Sequence, residues 1–124
     1  MQAYKLARRQ AEVSNNSAEV IRAYDKVINF CSRTTHCQYD RSIKRDKLLY
    51  WSYKNVAEAY LAEKSFDSAR LYLDKAVRFA RSEDENAAIL KIAARLYESS
   101  GKSEDALRTQ MKLAALQPDA EKYN

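Results

Sequence analysis

The sequence predicts an all-α chain of about six antiparallel helices, and three observations carry that reading. Apolar residues recur at helical spacing almost from end to end. There is one glycine, Gly101, and one proline, Pro118, so the punctuation that strands and hairpins need is missing before position 101. Hydrophobic residues make up 46% of the 124 and charged residues 31%, the balance of a folded chain of one domain.

The helices are expected at 2–13, 17–33, 43–62, 66–81, 83–99 and 104–116. Ser17, Ser65 and Ser103 stand where side-chain oxygens can cap the second, fourth and sixth. Ser82 followed by Glu85 forms a capping box for the fifth, and Gly101 stands just past its end. Glu104 and Asp105 suit the positive end of the sixth. In the first helix two registers compete for the close-packing position. One puts Arg8 there and the other Leu6 and Ala7.

A repeat underlies these helices. Tyr53, Val56, Ala57, Tyr60, Ala69 and Leu73 are followed by Leu90, Ala93, Ala94, Tyr97 and Ala106, with Pro118 closing. Ala57 to Ala94 and Ala69 to Ala106 are both 37 residues apart, so two helices keep one register across the repeat. Small residues at these positions let paired helices approach closely, and the tyrosines beside them fill the volume. Tyr24-Asp25-Lys26-Val27-Ile28, Leu73-Asp74-Lys75-Ala76-Val77 and Gln110-Met111-Lys112-Leu113-Ala114 align as the second helices. This pattern resembles the tetratricopeptide repeat (TPR) signature of aromatic, aliphatic, small, tyrosine, alanine, aromatic and proline. The resemblance implies a right-handed superhelix of three helix pairs over 1–118. A weak repeat would span 1–34, an insertion 35–49, and two clear repeats 50–83 and 87–118, with a tail at 119–124. Gln110, where an aromatic is usual, suits a terminal repeat with no neighbour to bury that face.

The third helix holds the candidate binding residues. Leu49, Tyr53, Val56, Ala57 and Tyr60 share one stripe, and Trp51 lies opposite with Lys54, Asn55 and Glu58 beside it. In TPR proteins that side of each first helix lines a concave groove. The resemblance extends the groove to Lys5, Arg9, Lys91 and Arg95, with Lys5, Lys54 and Lys91 as matching positions. Lys5 and Asn55 fit the clamp by which some TPR proteins hold a chaperone's terminal carboxylate. Arg9, Ala88 and Ile92 depart from it, so such a chaperone is not the expected partner. The competing reading of Trp51 is burial beneath the 35–49 insertion.

Catalytic chemistry finds no foothold. His36, Cys31 and Cys37 lie close together, but a structural zinc wants four ligands and no second pair is present. The two cysteines are expected as free thiols, Cys31 buried and Cys37 exposed. A single glycine rules out a glycine-rich phosphate loop. Carboxylates such as Glu58, Glu63 and the Glu83-Asp84-Glu85 run read as helix surface and helix start. The chain is therefore expected to be no enzyme and to need no cofactor.

The net charge of +5 lies wholly in residues 1–49, where 10 Lys and Arg face 5 Asp and Glu; Arg41, Lys44, Arg45 and Lys47 are the densest cluster. An acidic protein or peptide is the expected partner, bound without catalysis by an interaction scaffold, and the chain could also self-associate. The alternatives are a basic nucleic-acid-binding or regulatory helical domain, or a TPR segment of a larger regulatory protein. No apolar run is long enough for a membrane span, and no apolar leader opens the chain, so a cytoplasmic location is expected.

Overall fold

The computed structural model describes residues 2–13, 16–34, 37 and 44–116. They form six helices: α1 (Gln2–Val13), α2 (Ser17–Arg33), α3 (Arg45–Ala62), α4 (Phe66–Phe79), α5 (Glu83–Ser99) and α6 (Ser103–Leu116). No strand occurs among the described residues. The chain falls into two compact units, Met1–Phe79 with α1 to α4 and Ala80–Asn124 with α5 and α6.

In the first unit α1 packs on α2, α2 on α3 and α3 on α4. The central helix is α3. Leu48, Leu49, Tyr50, Ser52, Val56, Ala57, Ala59 and Leu61 are all buried, so it is covered on most of its circumference. A helix apolar around most of its surface belongs in an interior. The core is completed by Tyr4 and Ala7 from α1, and by Ile21, Tyr24, Val27, Ile28 and Cys31 from α2. Ala7 is 0% exposed and Leu6 61%, with Arg8 on the surface as well, which decides the register of α1 in favour of Ala7. Taking Ala7 as the equivalent of Ala57 sets Tyr4 at the position of Lys54, and Lys5 at that of Asn55. The lysine series then runs through Lys54 and Lys91 only. The alanines of the 37-residue repeat, Ala57, Ala69, Ala94 and Ala106, are buried, as close helix approach requires.

The helix ends are built by local chemistry. Asn16, rather than Ser17, caps α2: its Oδ1 accepts from the amides of Ala18 and Glu19 at 3.0 and 3.4 Å. Asn and Ser are equally good caps, so the sequence alone did not separate adjacent candidates. Ser82 Oγ accepts from Glu85 N at 3.1 Å as expected. The return bond reaches one residue further, Glu85 Oε1 accepting from Arg81 N at 2.7 Å.

Helices α3 and α5 stop in the same way. After α5, Gly101 takes φ 81°. Lys102 N donates to Tyr97 O at 2.8 Å and Gly101 N to Glu98 O at 3.3 Å. After α3, Lys64 takes φ 62°. Ser65 N donates to Tyr60 O at 2.9 Å and Lys64 N to Leu61 O at 3.0 Å. Both ends are complete Schellman motifs.

In the second unit α5 and α6 pair as a hairpin. Ala87, Ile89, Ile92, Ala94 and Leu96 face inward from α5, and Ala106 and Thr109 from α6. Gln110 Nε2 donates to Glu98 Oε1 at 2.7 Å on the surface. The expected terminal polarity of Gln110 is thus used within the hairpin.

The cysteines correct the expectation. Cys31 and Cys37 are joined in a disulfide with Cα atoms 5.1 Å apart. Cys31 is buried on α2 as expected, but Cys37 is 1% exposed rather than on the surface. Thr34 leaves α2 in an extended conformation, φ −145° and ψ 144°, and the chain comes back to the core at Cys37. The burial of Cys37 is invisible to residue spacing. The free thiols had supported a cytoplasmic location, and that support falls away. No helix among the described residues is long and apolar enough to cross a membrane. His36, Arg41 and Pro118 lie outside the described residues.

Candidate functional site

Helix α3 is covered by α2 and α4 but leaves one stripe open. At about 100° per residue, Lys47, Trp51, Lys54 and Glu58 follow one another along it. Trp51, Lys54, Asn55 and Glu58 are each half-buried and Lys47 is exposed. Tyr53 and Tyr60, on the opposite side of the helix, are half-buried as well.

Trp51 is not bare on that stripe. Tyr4 of α1 stacks on it with ring centroids 5.7 Å apart and planes 20° from parallel. Tyr4 also meets Tyr24 edge-on at 6.3 Å. The Lys47 ammonium sits 5.8 Å from the centre of the Trp51 ring. The Arg8 guanidinium, one turn along α1, sits 6.0 Å from that of Tyr4. The result is a series of cation, ring, ring, cation: Arg8, Tyr4, Trp51, Lys47. Lys54 adds a third cation 5.9 Å over Tyr50. Among the described residues, Lys47 reaches the indole from the 35–49 segment and Tyr4 covers it from α1. Sequence reasoning missed Tyr4, which meets Trp51, and Arg8, which sits over Tyr4, because both contacts appear only once the register of α1 is fixed.

The remaining candidates divide. Asn55 Nδ2 donates to Trp51 O at 2.7 Å, so its amide nitrogen is engaged within its own helix. Lys5 and Arg9 are exposed on α1. Lys91 and Arg95 are exposed one turn apart on α5, in the other unit. Among the described residues no three His, Cys, Asp or Glu side chains gather as metal ligands. An open depression at the α3–α4 turn, lined by Lys64, Ser65, Phe66, Asp67 and Ser68, contains none of the candidate residues.

A basic, aromatic surface of this kind can do two things. Its cations attract carboxylates or phosphates, and the open part of the Trp51 ring offers flat apolar area beside them. No family model, curated protein or solved structure matches the chain.

Proposed function

We propose that the chain is a non-catalytic interaction module of the tetratricopeptide kind, and that its first unit binds an acidic segment of another protein along the open stripe of α3. One observation carries this reading: the series Arg8, Tyr4, Trp51 and Lys47, with Lys54 alongside, in which Arg8 and Lys47 are exposed, Trp51 is half-buried and Tyr4 is buried against it. The open part of Trp51, held in place by the Tyr4 ring, supplies rigid area of the type that dominates binding hot spots. The three cations supply charge complementarity, which acts on encounter rate and selectivity. Lys5 and Arg9 extend the positive field along α1.

The open part of the Trp51 ring beside these cations also suits single-stranded nucleic acid, where bases stack on aromatic side chains along a basic track. A titration followed by Trp51 fluorescence separates the readings, because Trp51 is the only tryptophan. An oligoglutamate peptide carrying aromatic residues should shift the emission with a dissociation constant in the micromolar range, about −8 kcal/mol. A single-stranded oligonucleotide of equal charge should bind more weakly at physiological salt. Reversing Lys47 and Lys54 to Glu should abolish the peptide response. Tighter binding of the oligonucleotide would replace this reading with the nucleic-acid one, and silence with both would overturn the site.

A further inference from the structure

The opposite side of α3 holds a second cluster that the Trp51 surface does not use. Trp51 and Tyr60 are nine residues apart, which places them about 180° apart around the helix. Tyr53 and Tyr60, seven residues apart, share that far side. Tyr72, Lys75 and Phe79 meet them from α4, and Asp25 approaches from α2. Tyr53 and Tyr72 have centroids 6.0 Å apart, Tyr60 and Tyr72 5.5 Å, and Tyr53 and Phe79 stack at 5.9 Å. All six side chains are half-buried.

A cation already sits in this cluster. The Lys75 ammonium lies 5.0 Å from the centre of the Tyr72 ring and 5.8 Å from that of Tyr53. Ring faces carry negative charge, and a cation within about 6 Å of a centroid is attracted to it. The Asp25 carboxylate lies within electrostatic reach of both Lys75 and Tyr72. Burial disfavours its charge, and a positive neighbour offsets that. Rings on two helices, a carboxylate on a third and an ammonium between them make the physical elements of a cation site.

We propose that Tyr53, Tyr60, Tyr72, Phe79 and Asp25 form a binding site for an alkylated ammonium, such as a methylated lysine side chain of a partner, with Lys75 as its built-in competitor. Methylation favours the ligand for a stated reason. A bare ammonium brings three N–H donors that lose water on entering a half-buried aromatic site. A quaternary ammonium brings none, keeps its charge and buries its methyl groups against the rings. Lys75 is tethered on α4 and holds the site when no ligand is present; a stronger cation displaces it to solvent. This site is independent of the Trp51 surface.

The test titrates the full chain with trimethyl-lysine amide, lysine amide and tetramethylammonium chloride at fixed ionic strength, following the tyrosine ring signals by NMR. Trimethyl-lysine amide and tetramethylammonium should shift the Tyr53 and Tyr72 signals saturably. Trimethyl-lysine amide should bind at least about fivefold more tightly than lysine amide. Lys75→Gln should tighten binding about fivefold by removing the competitor. Asp25→Asn should weaken it by a similar factor, and Tyr72→Phe should keep it, since the ring remains. Trp51→Phe should leave all of this unchanged. Equal binding of lysine and trimethyl-lysine, or an affinity unmoved by Lys75→Gln, would overturn the proposal.

Discussion

Lys64 and Gly101, 37 residues apart, close the same Schellman turn with φ values of 62° and 81°. The bonds around them match position for position: Ser65 to Tyr60 in one turn and Lys102 to Tyr97 in the other. The repeat inferred from alanines and tyrosines therefore extends to a backbone conformation. Glycine adopts positive φ without steric cost, whereas lysine does not.

Lys64→Gly should accordingly stabilise the protein, by about 0.5–1 kcal/mol. Gly101→Ala should destabilise it by about 1 kcal/mol or more, although nothing lies within 4 Å of an added Cβ there. Urea unfolding of both variants checks this. A loss on Lys64→Gly would mean that the lysine side chain contributes more than its backbone costs.

Ser52 is wholly buried on α3, and its Oγ has no hydrogen-bond partner among the described residues. A buried hydroxyl without a partner has lost its hydration for nothing in return. Ser52→Ala should be neutral or stabilise by up to about 1 kcal/mol. A thermal melt showing a loss well above that would point to a bonded hydroxyl.

The Cys31–Cys37 pair predicts that no thiol titrates in denaturant until reductant is added. Closing so short a loop should contribute about 2 kcal/mol in the chain-entropy account. The double variant Cys31→Ser, Cys37→Ser should lose roughly that much in urea unfolding, plus whatever the two buried hydroxyls cost. Two titratable thiols in unreduced protein would restore the free-thiol expectation.

Burial raises the carboxyl of Asp25 above its usual range, and Lys75 only partly offsets this. In the window just above the ordinary carboxylate value of 3.8, the folded state then binds more protons at this group than the unfolded state does. Its contribution favours folding at low pH and is lost as pH rises through the folded-state value. Asp25→Asn should therefore be more stable than the parent at pH 7, and the difference should shrink as pH falls towards 3.8 and below. A difference that grew on acidification would have the wrong sign. Tyr72 is raised as well, by burial first and then by Asp25, Tyr60 and Tyr53.

Much of this was legible in the residues. Helix positions follow from apolar period, and the spacing from Ala57 to Ala94 locates the close contacts. Trp51, Lys54 and Glu58 fell on the accessible stripe because helical geometry converts residue number directly into direction. What failed to show depends on neighbours distant in sequence. Tyr4 meets Trp51, and Lys75 meets Tyr53, only through packing between helices. The choice between the Arg8 register and the Leu6-Ala7 register of α1 turned on which face packing would bury. Asn16 and Ser17 are adjacent, and either residue type can cap a helix start. The burial of Cys37 depends on packing beyond the end of α2, which no periodicity encodes.

The position of α3 has a further consequence. Helices α2 and α4 both owe their apolar faces to it and do not pack on each other to any comparable extent. Local fraying can therefore begin at α1 or α4, but any opening that releases α3 exposes most of the first unit at once. Its backbone amides, around Val56 and Ala57, form the slow-exchanging heart of a single cooperative foldon. Both proposed surfaces lie on opposite sides of that same rigid rod. A ligand on either side would thus meet the α3 residues last to be released, together with α1 or α4 residues that can open first.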